Sequence, residues 1–256
     1  MEAKRVTLFA GHYGSGKTNI AVNFALHLAG QGKQVTLADM DIVNPYYRAK
    51  DSTADMEKAG VKMIASPYAN SNVDVPALPQ EMYAVTEDKS RYAVLDVGGD
   101  DRGALALGRY APAIKEENNY HMIYVFNASR PLSRTAEAAL EIMGEIETAG
   151  GIPFTAIVNN TNLGRDTTWE TVTASLQEAE KLSQISGLPL LFTAVNESVL
   201  PITERENEQY FPLKLQKTIW SRRCEHGKGN LQKRPVQGLR PVHHGLSQED
   251  HCPEQG

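Results

Sequence analysis

Residues 6–28 read VTLFAGHYGSGKTNIAVNFALHL, and this stretch constrains the fold more than any other. Val6 to Ala10 is a short apolar run rich in β-formers, a glycine-dense loop follows, and an apolar-periodic segment opens directly behind it. The order is therefore strand, loop, helix. The loop, Gly11-His12-Tyr13-Gly14-Ser15-Gly16-Lys17-Thr18, fits the spacing G-x-x-x-x-G-K-[ST] without a gap. Glycine at 14 and 16 opens backbone angles closed to other residues, so successive N–H groups can turn inward around an anion at the positive end of a helix. The expectation is a phosphate-binding loop made of Gly11, His12, Tyr13, Gly14, Ser15, Gly16, Lys17, Thr18 and Asn19. Lys17 then reaches the β- and γ-phosphates as the catalytic cation, and the Thr18 hydroxyl holds Mg²⁺.

Composition narrows the class. Of 256 residues, 41% are hydrophobic and 22% charged, the balance of an ordinary globular protein able to bury a sizeable core. No run approaches the ~20 apolar residues of a spanning helix, and the N-terminus has no signal-peptide pattern, so a cytoplasmic protein is expected. The only cysteines, Cys224 and Cys252, fall near the C-terminus, which excludes a disulfide framework or a Cys-x-x-Cys metal site in the body. A net charge of −5 argues against non-specific attraction to nucleic acid or anionic lipid.

Apolar segments alternate with helical ones along the chain. Short β-rich runs at 34–38, 61–66, 92–97, 120–127, 153–159 and 188–194 join the first to make about seven strands. Helices are expected at about 16–30, 79–88, from just after Arg102 to about 115, 133–149 (with Ser133 as cap) and 166–186 (with Asp166 as cap). Strands that are apolar throughout predict a mostly parallel sheet covered by helices on both faces, a single α/β domain over residues 1–220. Residues 221–256 hold few hydrophobics and no usable periodicity, and read as a disordered tail. Its Cys224, His226, His243, His244, His251 and Cys252 fit no zinc spacing.

Acids close two of the strands. Asp39 and Asp41 follow the second strand, where α/β sheets place their ligands. Asp96 ends the run YAVLD, the arrangement in which a carboxylate orients Mg²⁺ or its water. Asp96-Val97-Gly98-Gly99 matches D-x-x-G, in which the Gly99 N–H senses the γ-phosphate.

In the order of these motifs, the phosphate loop at 11–18, DMDIVNP at 39–45, LDVGGDD at 95–101 and VNNTN at 158–162, the chain resembles the MinD/ParA/Mrp branch of P-loop nucleotide-binding proteins, of the CobQ/CobB/MinD/ParA type. The resemblance covers about residues 4–215. It implies that Asp41 positions the attacking water from a switch segment, with Asp39 nearer the metal. It also implies a slow ATPase acting as a nucleotide-dependent switch or assembly factor, with a protein partner or a nucleotide-dependent homodimer. A metal- or cluster-delivery ATPase and an ATP-dependent ligase of the cobyrinic-acid/dethiobiotin kind remain the alternatives. One position departs from the branch: where it carries a lysine after the first glycine of the loop, this chain has His12. A neutral imidazole supplies no fixed positive charge at pH 7. Either another cation, Arg48 or Arg102, takes that place, or hydrolysis is weaker.

The base follows from 159–162. A guanine-specific N-K-x-D motif needs a carboxylate at its last position, and Asn159-Asn160-Thr161-Asn162 ends in an amide. An amide both donates and accepts, which suits the adenine edge, so ATP is preferred with Asn159 as a base contact. The cluster Tyr46-Tyr47-Arg48 suits either a partner surface or packing under the loop.

Overall fold

The computed structural model describes residues 3–40, 53–64, 80–99 and 101–214. The chain divides into a compact unit, Met1–Ile219, and a second unit, Trp220–Gly256, which lies outside the described residues together with the sequence expectation of a tail. Asp41, the segment 42–50 with its Tyr46-Tyr47-Arg48 cluster, and Asp100 also lie outside them.

Eight strands are described: β1 (Val6–Ala10), β2 (Val35–Asp39), β3 (Lys62–Ile64), β4 (Tyr92–Asp96), β5 (Tyr120–Phe126), β6 (Ala156–Asn159), β7 (Leu190–Asn196) and β8 (Tyr210–Leu213). They form one sheet in the order β3-β2-β4-β1-β5-β6-β7-β8, and every pair is parallel. Parallel neighbours require crossovers, supplied by α1 (Lys17–Gly30), α2 (Thr53–Lys58), α3 (Ala84–Glu87), α4 (Asp101–Gly108), α5 (Ala111–Glu117), α6 (Ala136–Gly150), α7 (Trp169–Ala174) and α8 (Leu176–Ser186). The chain leaves β1 toward β2 on one side and leaves β5 toward β6 on the other. The carboxyl ends of these two adjacent strands thus form a topological switch point, where open α/β sheets hold their ligands.

Both faces of the sheet are covered, as the uninterrupted apolar strands require. Val6, Leu8 and Ala10 of β1 pack with Leu107, Ile114, Ala139, Met143 and Leu182 from α4, α5, α6 and α8. Phe9 faces the other way, onto Ile20, Phe24 and Leu28 of α1. These three side chains recur every four residues, so one face of α1 lies on the sheet.

The structure corrects several boundaries. The helix expected over 166–186 is two helices, broken at Ser175, and its cap is Thr168 rather than Asp166, in a capping box with Thr171. Thr135, not Ser133, caps α6, with its hydroxyl accepting from the Ala138 N–H. The helix expected after Arg102 to about Lys115 is likewise two, α4, which starts at Asp101, and α5. The eighth strand was not expected: it is short, and Pro212 in its middle argues against a central strand but is tolerated at an edge. It is held by Phe211 against Phe24, His27 and Phe192, and by the Asn23 amide, which bonds both backbone groups of Lys214.

The amino ends of the strands are tied by Arg5. Its guanidinium pairs with both carboxylate oxygens of Glu117 and donates to the carbonyls of Val85, Asp88 and Arg91, while only 7% of the residue is exposed. Removing one partner of a buried pair strands the other. Arg5→Ala is therefore expected to lower the unfolding free energy by about 3 kcal/mol in urea denaturation; an unchanged midpoint would show that the pair contributes nothing.

Candidate functional site

The site assembles where β1 ends. Gly16 takes a left-handed conformation, φ 90°, and has no side chain to cap α1, whose first turn contains no acid. The N-terminus of α1, with its uncapped N–H groups, therefore opens directly into the loop, the arrangement that attracts an anion. Lys17 is buried, and its Nζ lies 3.4 Å from the His12 carbonyl. Gly99 sits against it: a Cβ there would lie 2.7 Å from Lys17 Nζ and 2.9 Å from the Tyr13 amide nitrogen. Any side chain at 99 would displace the loop or its lysine, so glycine is demanded by close approach.

Below the loop, the Thr18 hydroxyl donates to Asp96 Oδ2 at 2.5 Å, joining the first turn of α1 to the end of β4. Asp39 ends β2 and is the register partner of Asp96, and both acids are buried. Adjacent strands bring the two carboxylates to one edge of the sheet, about 5 Å apart along the backbone. Of the residues expected from the sequence, Lys17, Thr18, Asp39, Asp96 and Gly99 thus converge on the loop. The Ser15 hydroxyl is fully buried, with no hydrogen-bond partner among the described residues. The imidazole of His12 turns back on its own loop, Nδ1 donating to the Tyr13 carbonyl at 2.9 Å. Tyr13 is largely exposed, and Asn19 follows Thr18 in the first turn of α1.

The loop's outer carbonyls are held from β5 and β6. Asn160 Nδ2 donates to the Ser15 carbonyl at 2.7 Å, and Arg130 Nε donates to the Gly14 carbonyl at 2.6 Å. A Cβ on Gly16 would collide with the Asn160 amide. Asn159, placed at the base by the sequence reading, is fully buried, and its amide is engaged inside the fold: Nδ2 donates to Ser175 Oγ, and Oδ1 accepts from the backbone and hydroxyl of Thr161. The amide that touches the loop is one residue later. Sequence reasoning missed both Asn160 and Arg130. The asparagine lay inside a motif already noted, whereas Arg130, just past β5, carried no local signal.

Among the described residues, no group of three or more His, Cys, Asp or Glu side chains gathers as a metal site, and no helix is long and apolar enough to cross a membrane.

A glycine loop between a parallel strand and a helix, with a lysine and a strand-end acid converging on it, defines a P-loop nucleotide-binding protein. The chain matches the CobQ/CobB/MinD/ParA nucleotide-binding domain over residues 6–166, more than half of its length, and belongs to that family. No functionally curated protein matches it. In overall fold it is similar to the cell division protein FtsY of Thermotoga maritima, with a TM-score of 0.54 and 19% identity over 77% of this chain and 63% of that one. It is also similar to chloroplast FtsY of Physcomitrella patens, with a TM-score of 0.51 and 16% identity over 78% of this chain and 60% of that one. The chain thus spans less than two thirds of the length of these structures, and at such identities the likeness is one of fold.

Because Asn160 holds the loop from a buried position, Asn160→Ala should leave the Ser15 carbonyl without its donor and cost about 1–3 kcal/mol in urea denaturation. Parental stability in that variant would mean the loop is held by other contacts.

Proposed function

We propose that the protein is a Mg²⁺-dependent ATP-binding protein and a slow ATPase whose bound nucleotide sets its affinity for a protein partner. The observation that carries this reading is the convergence of Lys17 Nζ, Gly99 and the Thr18–Asp96 bond on one flank of the loop. The loop amides at the N-terminus of α1 face the phosphates, and Lys17 neutralises the β- and γ-phosphate oxygens.

The donor set fits Mg²⁺: a hydroxyl and a carboxylate oxygen 2.5 Å apart, with a second carboxylate on the neighbouring strand, are the hard oxygen ligands this cation takes beside phosphate and water. Thr18 would ligate it directly, with Asp96 and Asp39 orienting its waters. When bound, Mg²⁺ would supply positive charge against the negative charge that builds in phosphoryl transfer.

Asp41 is assigned the water-orienting role through the family resemblance, two residues beyond Asp39. Gly99 supports the switch reading. Its backbone lies against both Lys17 and Tyr13, so a γ-phosphate beside Lys17 must touch the segment that continues into α4. A change there is transmitted to the α4 surface, where Leu105 is exposed, and is read by a partner or a second copy of the chain. ATP is preferred to GTP because the turn after β6 offers amides and the apolar Leu163, but no carboxylate, between Asn159 and Leu163.

Lys17→Ala should abolish ATP binding in equilibrium titration with Mg²⁺ present, and parental binding in this variant would sink the reading. Asp41→Ala should bind ATP as the parent does while phosphate release falls by at least about 100-fold; equal turnover would move the water-orienting role to another residue.

A further inference from the structure

The two flanks of the loop differ in the elements that reach them. Toward β4 lie the Lys17 ammonium, the Thr18–Asp96 pair and Gly99. Toward β5 and β6, Arg130 holds the Gly14 carbonyl, Asn160 holds the Ser15 carbonyl, and the Asn162 amide lies 3.9 Å from the Cβ position of Gly16. Among the described residues, the ammonium and the hydroxyl–carboxylate pair suited to terminal phosphates and their metal lie on the first flank. A linear polyphosphate laid through the loop therefore ends there, and the nucleoside leaves past Gly14 and Gly16 on the second.

Arg130 is a charged, planar side chain on that second flank, bonded to the loop itself. Its backbone is fixed by the turn that closes β5. The Arg130 N–H donates to the Asn127 carbonyl at 3.1 Å, and the Ser129 N–H to Asn127 Oδ1 at 2.9 Å. The Ser133 N–H bonds the Arg130 carbonyl at 3.2 Å, and Pro131 follows directly. The side chain is exposed yet anchored, because Nε is committed to Gly14 and the guanidinium carbon lies 3.3 Å from the Cβ position of that glycine. The planar guanidinium thus lies at an exposed position beside the loop, held there through Nε. A guanidinium so presented stacks on an aromatic ring, and a purine offers it more π-surface than a pyrimidine.

We propose that Arg130 is a specificity-determining residue of the nucleotide site, its guanidinium pinned by the Gly14 carbonyl and stacked on the purine ring of the bound nucleotide. The proposal rests on residues 11–18 being the nucleotide site and adds what selects the nucleoside. Arg130 also stiffens the loop through the same hydrogen bond, so its two roles must be separated by ligands with and without a base.

The experiment is equilibrium titration of the full chain with ATP, CTP and inorganic tripolyphosphate, each with Mg²⁺, for the parent, Arg130→Ala and Arg130→Lys. Arg130→Ala loses the bond that steadies the loop and so weakens all three ligands, but it should weaken ATP about tenfold more than it weakens tripolyphosphate or CTP, the scale of a partly desolvated cation–π contact, and the preference for ATP over CTP should collapse. Arg130→Lys, which restores the charge and a donor for Gly14 but not the plane, should bind tripolyphosphate as the parent does and ATP at least about threefold more weakly. Equal weakening of ATP and tripolyphosphate in Arg130→Ala would reduce the residue to a prop for the loop and overturn the proposal, as would unchanged ATP affinity. A parent that binds ATP while Arg130→Ala matches it defeats this proposal alone. A parent that binds neither ATP nor tripolyphosphate defeats the nucleotide site as well.

Discussion

A loop that aims its N–H groups inward must aim carbonyls outward, and a buried carbonyl without a donor is costly. The structure meets that constraint with two side chains from distant parts of the chain. Asn160 takes the Ser15 carbonyl and Arg130 the Gly14 carbonyl. Holding a carbonyl fixes its whole peptide plane, and with it the N–H of the next residue. The inward geometry of the loop thus depends on bonds made on its outside, and those bonds exist because β5 and β6 end beside β1.

The parallel sheet makes this convergence possible. With all strands pointing the same way, the residues that follow β1, β2, β4, β5 and β6 emerge at one edge. Acids come from β2 and β4, and the amide and guanidinium from beyond β6 and β5, so the edge carries a charge gradient along its length. At the opposite edge Arg5 ties the strand starts to Glu117, far from the chemistry. His12, in the place where relatives carry a lysine, bonds its own neighbour's carbonyl. Among the described residues, Arg130 is a cation bonded to the loop on the β5 side.

The loop, the alternation of strand and helix and the strand-end acids were legible in the sequence because each is written in consecutive residues. Lys17, Thr18, Asp96 and Gly99 lie together as their spacing implies. What escaped was long-range. The Arg130–Gly14 bond spans 116 positions and the Asn160–Ser15 bond 145, and neither leaves a local pattern. The same is true of β8, a four-residue strand with a proline, which is stabilised by the Asn23 amide 191 positions away. The breaks at Ser175 and between α4 and α5 were lost because apolar spacing continues across them. Asn159 and Asn160 were indistinguishable as letters; Asn159 ends β6 with its amide bonded inside the fold, and Asn160, just past the strand, bonds the loop.

The most direct measurement is a crystal structure of the full chain with Mg²⁺ and a non-hydrolysable ATP analogue. The β-phosphate should lie within hydrogen-bond distance of the Gly16, Lys17 and Thr18 amides, the γ-phosphate beside Lys17 and Gly99, and the nucleoside past Gly14 toward Arg130. Phosphates bound away from residues 11–18, or a nucleoside running toward β4, would contradict the account.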